Sequence, residues 1–182
     1  DYAKAIDYYI KSLKIKEELE DKKGIANSLN NIGNIYYNQG DYAKSIDYHT
    51  RSLKIKDELG DKSGIAKSLN NIGLIYWYQD DLAKAINHYT RSLKIREEIG
   101  DKNGIASSLN NIGLIYLDQG NYAKALKINT KALSIAQEIG NVKRIKHASE
   151  NLWKIHKKFG KHHQALEMHE LYIQMRDSIL SI

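Results

Sequence analysis

The sequence predicts an all-α protein, a solenoid of about nine helices arranged as antiparallel pairs. Three observations predict this fold. The 182 residues contain no proline, whereas average usage would give about nine. The segment Ser-Leu-Asn-Asn-Ile-Gly recurs at residues 28–33, 68–73 and 108–113, which sets a period of 40 residues. Within each period the apolar residues follow helical rather than strand spacing.

The period divides the chain into one uninterrupted array. Residues 1–20 form a half repeat that consists of one helix, and four full repeats follow: 21–60, 61–100, 101–140 and 141–180. Because a single repeat of this size cannot bury its apolar side alone, each repeat should pack against its neighbours. We therefore expect residues 1–182 to form a single array.

Each full repeat contains two helices, named A and B here in chain order. In the first repeat, the residues that share one face of helix A are Ile25, Leu29, Ile32, Gly33 and Tyr36. A second helical stripe predicts helix B from about Asp41 to Leu59; its members are Tyr42, Ser45, Ile46, His49, Ser52, Leu53 and Leu59.

Short polar side chains mark the predicted starts of the helices, where they can accept hydrogen bonds from free N–H groups. They are Asp21, Asp61 and Asp101 before the A helices, and Asp41, Asp81 and Asn121 before the B helices. Glycines follow the predicted helix ends at positions 40, 60, 100 and 120, where a left-handed residue commonly ends a helix.

Three further glycines, Gly33, Gly73 and Gly113, lie inside the A helices. Glycine in a helix interior costs about 1 kcal/mol relative to alanine. We therefore expect helix B to approach helix A closely at these three positions.

The repeat resembles the tetratricopeptide repeat, which reads Leu-Gly-x-x-Tyr on its first helix and Gly-x-Tyr-x-x-Ala at the start of its second. The matching residues are Ile32-Gly33, Tyr36, Gly40, Tyr42 and Ser45, then Ile72-Gly73, Tyr76, Leu82 and Ala85, then Ile112-Gly113, Tyr116, Gly120, Tyr122 and Ala125. HEAT-type repeats also have periods near 40 but do not predict this placement of Gly and Tyr. The resemblance implies a right-handed superhelical α-solenoid.

The period of 40 exceeds the usual 34 residues of this family. In this respect the chain resembles the arrays of kinesin light chains and of bacterial sensor and regulatory proteins. The fourth repeat departs furthest, because Arg144, Trp153 and His156 replace the Gly, Gly and Tyr of the other three. Such replacements are typical of a terminal capping repeat, which has no neighbour on one side.

The net charge of +6 is concentrated at one place. Residues 141–161 contain seven Lys or Arg against Glu150 alone, and the remaining residues balance. This distribution argues against attraction of the whole protein to nucleic acid or to an anionic membrane. It indicates a basic fourth repeat instead.

The sequence offers no candidate for catalysis. Cysteine is absent, and no phosphate loop, metalloprotease motif or nucleophile elbow is found. Five histidines lie in the last 40 residues, but none forms the i, i+4 pair expected of helical metal ligands: His147, His156, His162, His163 and His169. We therefore predict a protein that is not an enzyme and that needs no metal or cofactor.

The location of the protein is left open by the sequence. No window approaches the roughly 18 apolar residues of a membrane span, so we expect no membrane insertion by this segment. The absence of cysteine does not distinguish a cytoplasmic from a periplasmic protein. Because Asp1 opens inside a helical pattern, we expect the chain to be part of a longer polypeptide.

Function should therefore come from the exposed surface of the A helices, opposite their apolar stripe. In the tetratricopeptide family this surface lines the concave groove. The predicted groove residues are Asn27, Asn31, Asn34 and Asn38, then Lys67, Asn71, Leu74 and Tyr78, then Asn111, Leu114 and Asp118, and finally Asn151, Lys154 and Lys158.

One column of this groove is asparagine in all four repeats, at positions 31, 71, 111 and 151. A primary amide is both donor and acceptor, so such a ladder can pair with the backbone of an extended peptide. Alternatively, the amides hold adjacent helices together. We expect Asn30, Asn70 and Asn110, on the flank of the groove, to have a packing role.

These observations predict a protein-interaction scaffold that binds an extended peptide or a partner helix in the groove, as part of a larger bacterial regulatory or sensor protein. Lysines in the fourth repeat favour acidic groups of the ligand at that end. The alternative function is binding of nucleic acid or of an acidic surface by the basic fourth repeat, which we consider weaker because exposed aromatic residues are not interleaved with the lysines.

Self-association through the ends of the array is a further expectation. The first helix lacks an A partner, and apolar residues are predicted to be uncovered there: Tyr2, Ile6, Tyr9, Leu13 and Leu19. A second apolar edge is predicted at the other end: Leu171, Ile173, Ile179, Leu180 and Ile182. Because solenoids grow by nearest-neighbour contacts, an uncovered end can accept another molecule.

Overall fold

The computed structural model describes residues 2–181, which form nine α-helices and no strand. This confirms the all-α fold class. The helices are α1 (Tyr2–Glu18), α2 (Lys22–Asn38), α3 (Tyr42–Glu58), α4 (Lys62–Tyr78), α5 (Leu82–Glu98), α6 (Lys102–Asp118), α7 (Tyr122–Glu138), α8 (Val142–Lys158) and α9 (His162–Leu180). The even-numbered helices are the A helices of the sequence repeats, and the odd-numbered ones are the B helices.

The predicted helix starts are confirmed. Asp21 and Asp61 each accept a hydrogen bond from the backbone N–H three residues later, at 2.9 Å. Asp41, Asp81, Asp101 and Asn121 do the same at 2.9–3.3 Å. Asn141 caps α8 in the same way, at 3.1 Å. Each of these side chains satisfies one of the N–H groups that a helix start leaves unpaired.

The turns repeat at half the sequence period. A residue with positive φ ends each turn at positions 20, 40, 60, 80, 100, 120, 140 and 160. Six of the eight are glycines, including the four predicted ones, and the other two are Glu20 (φ 54°) and Asp80 (φ 61°). Because residues with a Cβ atom are strained in this region, Glu20 and Asp80 are local departures from the turn that the repeat prefers.

The close approach predicted at the glycines inside the A helices is confirmed, and side chains of helix B cause it. A Cβ atom on Gly33 would lie 2.9 Å from Nε2 of His49, and one on Gly73 would lie 3.1 Å from the ring of Tyr89. Asn129 occupies the same place beside Gly113. The Ser45 hydroxyl also donates a hydrogen bond to the Gly33 carbonyl, at 2.7 Å.

The chain divides into two compact units, Asp1–Ile95 and Arg96–Ile182. In the first unit, the core contains Leu29, Ile32, Leu69, Ile72 and Ile75. Small residues allow helix B to lie close to helix A here. The Ser52 hydroxyl donates to the Ala26 carbonyl at 2.7 Å, and Ser92 donates to that of Ala66 at 2.8 Å.

The second unit has a similar core of Leu109, Ile112, Ile115, Leu152 and Ile155. Its last helix pair, α8 and α9, packs differently from the others. Trp153 stands where the other repeats have glycine, and its ring lies 4.3 Å from that of His169, between centroids. An aromatic pair thus replaces the contact between glycine and a helix B side chain.

In the first unit one lysine joins α1 to α2 and another joins α3 to α4; Lys16 is partly buried and Lys56 is buried. The Lys16 ammonium donates a hydrogen bond to the Ser28 hydroxyl at 2.8 Å, and Lys56 donates to Ser68 at 3.0 Å. Gly24 and Gly64 make room for these lysines, because a Cβ atom there would lie 2.8 Å from the lysine Cδ atom. Burial lowers the pKa of Lys56, and the Asp61 carboxylate opposes this effect.

The second unit varies this junction. Arg96 replaces lysine, and its Nε atom and the Ser108 hydroxyl both lack a hydrogen-bond partner in the described part of the chain. At the next junction the cation comes from the other helix: Ala136 and Ala148 replace lysine and serine, and Arg144 replaces glycine. Burial lowers the pKa of both arginines, and Asp101 opposes the effect in each case.

One part of the prediction about uncovered ends is wrong. Leu13 is buried and packs with Leu29 and Ile32, because the A helix that follows α1 covers it. Tyr9 is partly buried against the same cluster. The large apolar side chains exposed on α1 are Tyr2, Tyr8, Ile10 and Ile15, and Leu19 is exposed in the turn that follows it. At the other end, Ile179 and Leu180 are exposed, Leu171 and Ile173 are partly buried, and Ile182 lies outside the described residues.

Candidate functional site

The A helix of the first repeat presents a row of amides. Asn27, Asn34 and Asn38 are exposed and Asn31 is partly buried. Within residues 2–181, the side chains of these four residues form no hydrogen bond. Their amide groups are therefore available to a ligand.

The next asparagine of the column is used differently. The Asn71 side-chain N–H donates a hydrogen bond to Oδ1 of Asn30, at 3.3 Å. This bond links α4 to α2, so Asn71 and the flanking Asn30 have at least a structural role. Lys67 and Tyr78 on the same helix are exposed, and Leu74 is partly buried.

A cavity of 340 Å³ lies between α2 and α4, and His49 of α3 also lines it. Its volume is near the lower end of the range for ligand pockets, which is about 300–1,000 Å³. The lining residues are Asn34, Tyr37, Asn38, His49, Asn71, Leu74 and Ile75. Four of the predicted groove residues therefore meet around one open space: Asn34, Asn38, Asn71 and Leu74.

His49 contributes a buried polar group to this cavity. The residue is 1% exposed, and its Nδ1 atom has no hydrogen-bond partner within the described residues. Burial lowers the pKa of His49 to about 4, and the positive charge of Lys56 adds to this effect. The imidazole is therefore neutral at physiological pH.

Tyrosines border the cavity on one side. The Tyr78 ring lies 5.5 Å from that of Tyr37 and 6.3 Å from that of Tyr42, between centroids, and Trp77 lies 5.2 Å from Tyr78. Burial raises the pKa of Tyr37, and the neighbouring Tyr78 adds to the shift. Tyr78 is 54% exposed, so the cluster offers aromatic surface beside the amides.

Sequence reasoning missed three of the residues around this site: Tyr37, Tyr42 and His49. Helical spacing placed Tyr42 and His49 on the core stripe of helix B, and the helical wheel of α2 did not mark Tyr37. The signal that could have found His49 is the pairing of Gly33 with a large side chain 16 residues later. That spacing is repeated by Gly73 with Tyr89.

The equivalent place in the second unit is closed. Asn151 is 5% exposed and donates hydrogen bonds to Oδ1 of Asn129 at 2.9 Å and to Oδ1 of Asn110 at 3.1 Å. Asn129 stands at the position of His49 and is fully buried. The last asparagine of the column therefore holds helices together, which is the alternative that the sequence left open.

The other predicted groove residues of the second unit lie nearer the surface. Asn111 and Leu114 are partly buried, and Asp118, Lys154 and Lys158 are exposed. The Lys154 ammonium lies 2.7 Å from a carboxylate oxygen of Glu150. An exposed pair of this kind contributes little to stability, so the charge of Lys154 remains accessible to a ligand.

No group of three or more His, Asp or Glu side chains between residues 2 and 181 could hold a metal ion. None of the helices in that range combines the length and apolarity of a membrane span.

The sequence matches the family profile of the tetratricopeptide repeat over residues 1–58, 24–98, 64–138 and 104–178. The chain is a tetratricopeptide repeat protein. These matches cover nearly all of it, which confirms the resemblance seen in the repeat motif. No curated protein sequence matches this tetratricopeptide repeat protein significantly.

Solved structures share the tetratricopeptide fold at low identity. BtubC (BKLC) from P. vanneervenii has a TM-score of 0.88 and 21% identity, covering 100% of this chain and 76% of BtubC. A Rap protein complexed with Competence and Sporulation Factor has a TM-score of 0.80 and 22% identity, covering 96% of this chain and 49% of the Rap protein. A kinesin light chain of Podosopora anserina with nearly identical TPR-like repeats has a TM-score of 0.74 and 11% identity, covering 98% and 88%.

At these identities the similarity shows the fold alone. The chain spans about half the length of the Rap protein that it matches. The similarity to the kinesin light chain confirms the predicted resemblance to kinesin-light-chain-like repeat proteins.

Proposed function

We propose that this tetratricopeptide protein is a protein-interaction scaffold, without catalytic activity, that binds an extended peptide or partner helix on the surface of its A helices. One observation carries the proposal: the unpaired amides of α2 border an open cavity between α2 and α4. An extended peptide presents backbone N–H and C=O groups in alternation, and each asparagine amide can pair with both kinds of group.

Two further features support a peptide ligand. The aromatic side chains of Tyr37, Tyr42 and Tyr78 offer an anchoring surface next to the amides, and aromatic residues commonly dominate binding energy at interfaces. A Rap protein of the same fold is complexed with Competence and Sporulation Factor in its crystal structure. In the fourth repeat, the exposed Lys154 and Lys158 favour acidic groups of a ligand.

The test is a selection from a display library of extended peptides against the whole chain. Binders are then measured by calorimetry against the wild type and an Asn34→Ala, Asn38→Ala double variant. We expect the double variant to weaken binding by about tenfold or more, because two hydrogen-bonding amides are lost. Asn87→Ala is the matched control, because Asn87 is an exposed asparagine on helix α5 outside this surface.

The proposal fails if no peptide is selected, or if the Asn34→Ala, Asn38→Ala double variant binds the selected peptides as tightly as the wild type does. The alternative function would be supported by binding of a single-stranded oligonucleotide that falls steeply with salt and is lost on charge reversal at Lys154 and Lys158. Charge reversal at the same two lysines should weaken an acidic peptide more than a neutral one if the proposed polarity is correct.

A further inference from the structure

We infer that one face of helix α1 is a docking site for a partner helix that resembles the A helix α4. This face lies on a B helix, so the inference goes beyond the proposed function, which concerns the surface of the A helices. It is carried by the repeat itself. Helices α3 and α5 each use this face to hold an A helix, and in α1 the equivalent side chains are left uncovered.

The docking face consists of five residues that stand one or two repeat periods before those with which α3 and α5 contact their A helices: Ala5, Tyr8, Tyr9, Ser12 and Ile15. In α5, the Ser92 hydroxyl donates a hydrogen bond to the Ala66 carbonyl of α4, at 2.8 Å. The Tyr89 ring lies beside Gly73 of α4, where an added Cβ atom would be 3.1 Å away. Both contacts require a small residue on the A helix.

In α1 the equivalent side chains lack this cover. Ser92 is 0% exposed, whereas Ser12 is only partly buried, and its hydroxyl has no hydrogen-bond partner within residues 2–181. Tyr89 is 1% exposed, whereas Tyr9 is only partly buried. The docking face therefore presents a hydrogen-bond donor and a ring to a helix that the described chain does not supply.

Apolar surface lies beside these two residues. Tyr8, Ile15 and Leu19 are exposed and contribute to the lining of a cavity of 460 Å³. In α3, Tyr48 stands at the position of Tyr8 and stacks on Tyr36 of the A helix, with 5.4 Å between ring centroids. An uncovered apolar surface of this kind is typical of an interaction site. An apolar and aromatic helix face fits it better than a polar ligand does.

The residues of the docking face select α4 as the model for the partner. Ala5, Tyr9 and Ser12 have the same residue types as positions 85, 89 and 92 of α5, which covers α4, whereas α3 has serine and histidine at the first two positions. Ala66 and Gly73 are seven residues apart and so lie on one face of α4. We therefore expect the partner to be an amphipathic helix with small residues at this spacing.

A peptide with the sequence of residues 62–78 is the probe. It is acetylated, amidated and labelled, and its binding to the whole chain is followed by fluorescence anisotropy. We expect saturable binding, and we expect a Gly73→Leu version of the peptide to bind about tenfold more weakly or worse, because its side chain would overlap the Tyr9 ring. Leucine favours a helix more than glycine does, so lost helicity would not explain the difference. Equal binding of the two peptides, or no binding of either, would overturn the inference.

Substitutions in the chain locate the site. Ile15→Glu should weaken binding of the peptide by about tenfold or more, because the contact would bury an unpaired charge. Ile10→Glu is the matched control, since Ile10 is also an exposed isoleucine of α1 but lies on the opposite side of the helix, outside the cavity lining. Equal weakening by both substitutions, or by neither, would contradict the assignment to the docking face.

Two further measurements separate this site from the other surfaces. The Asn34→Ala, Asn38→Ala double variant should bind the peptide as the wild type does, because the groove of the A helices is not involved. At concentrations where the chain self-associates, the peptide should lower the mass measured by light scattering. A chain that stays associated and does not bind the peptide would show that a second copy occupies the docking face, which would overturn the inference.

Discussion

The side chain of Asn151 donates a hydrogen bond to that of Asn129 across 2.9 Å, inside the second unit. Asn151→Ala removes this bond and the one to Asn110, which leaves the side-chain oxygen of the buried Asn129 without this partner. We expect the free energy of unfolding to fall by about 1–3 kcal/mol. Urea unfolding followed by helical circular dichroism measures the change.

Asn31→Ala is the matched control, since Asn31 belongs to the same column but its side chain forms no hydrogen bond within residues 2–181. Its effect on unfolding should stay within about 0.5 kcal/mol. If both substitutions destabilise the chain equally, the division of the column into structural and ligand-binding positions is incorrect.

Gly33→Ala should destabilise the first unit. Its Cβ atom would lie 2.9 Å from Nε2 of His49, so the buried ring would have to shift. Overpacking of this kind typically costs about 1–3 kcal/mol, more than the roughly 1 kcal/mol that alanine gains in helix propensity. The unfolding free energy of the variant measures the balance.

A double-mutant cycle with His49→Ala identifies the cause. Removing the ring should relieve the clash, so Gly33→Ala should be neutral or stabilising in the His49→Ala background. Equal destabilisation in both backgrounds would mean that backbone rearrangement, not contact with the ring, explains the effect.

Acid should weaken the fold through His49. Its pKa is about 4 in the folded chain against about 6.5 for an unperturbed histidine. The unfolded chain therefore binds the proton more readily, and stability present above pH 6.5 is lost as the pH falls toward 4. Between pH 7.5 and pH 5 we expect a loss of about 2 kcal/mol from this group.

Unfolding in urea at several pH values tests this prediction. His49→Asn, which introduces the residue found at the equivalent position 129, should remove most of the dependence between pH 6.5 and pH 5. A smaller dependence of the same sign should remain, because burial also lowers the pKa of His88, His147 and His156. An unchanged pH profile in the variant would contradict the assignment to His49.

Exchanging Lys and Arg at the junctions between a B helix and the next A helix should have opposite effects on stability at positions 96 and 56. Arg96→Lys should increase stability by about 1 kcal/mol, because a lysine at this position bonds the following serine in the first unit and Ser108 has no partner in the described chain. Lys56→Arg should decrease stability by a similar amount. Thermal unfolding of both variants provides the comparison, and a decrease in both would show that each junction is adapted to its own cation.

Self-association should involve α1. Tyr8, Ile15 and Leu19 are 78%, 56% and 72% exposed, and covering such side chains is worth about 1.5–3 kcal/mol each. We expect a dimer or larger species at tens of micromolar in light scattering. An Ile15→Glu, Leu19→Glu variant should be monomeric. A Leu166→Glu variant, which changes α9 at the other end, should still associate. A constant monomer mass for the wild type at all concentrations would rule out this association.

Much of the fold follows from local sequence signals. Asp21 caps a helix, Gly40 adopts the left-handed conformation of a turn, and Gly33 leaves room for a side chain of helix B. The 40-residue period repeats each of these features along the chain. Leu13 was assigned to the wrong surface because its environment depends on α2, which a helical wheel of α1 does not contain. The role of each asparagine in the groove likewise depends on the helix whose side chain its amide bonds.

The candidate site was only partly predictable for the same reason. Asn71 and Asn151 have the same position in the repeat, and each bonds the flanking asparagine of the preceding A helix, Asn30 or Asn110. Only Asn151 also bonds a side chain of helix B, that of Asn129. The difference arises from the partner on helix B, His49 in one unit and Asn129 in the other. Sequence periodicity identifies equivalent positions but not the competition between their hydrogen-bond partners.

The cation junctions limit the order in which the repeats can be joined. If α8 followed α3, Lys56 and Arg144 would bring two positive charges to one buried helix start, which is strongly unfavourable. If α2 followed α7, Ala136 would face Gly24 and the space that a cation stem fills elsewhere would be empty. The repeats are thus not interchangeable modules, and a shuffled or extended array would fold well only if both residues of each junction were transferred together.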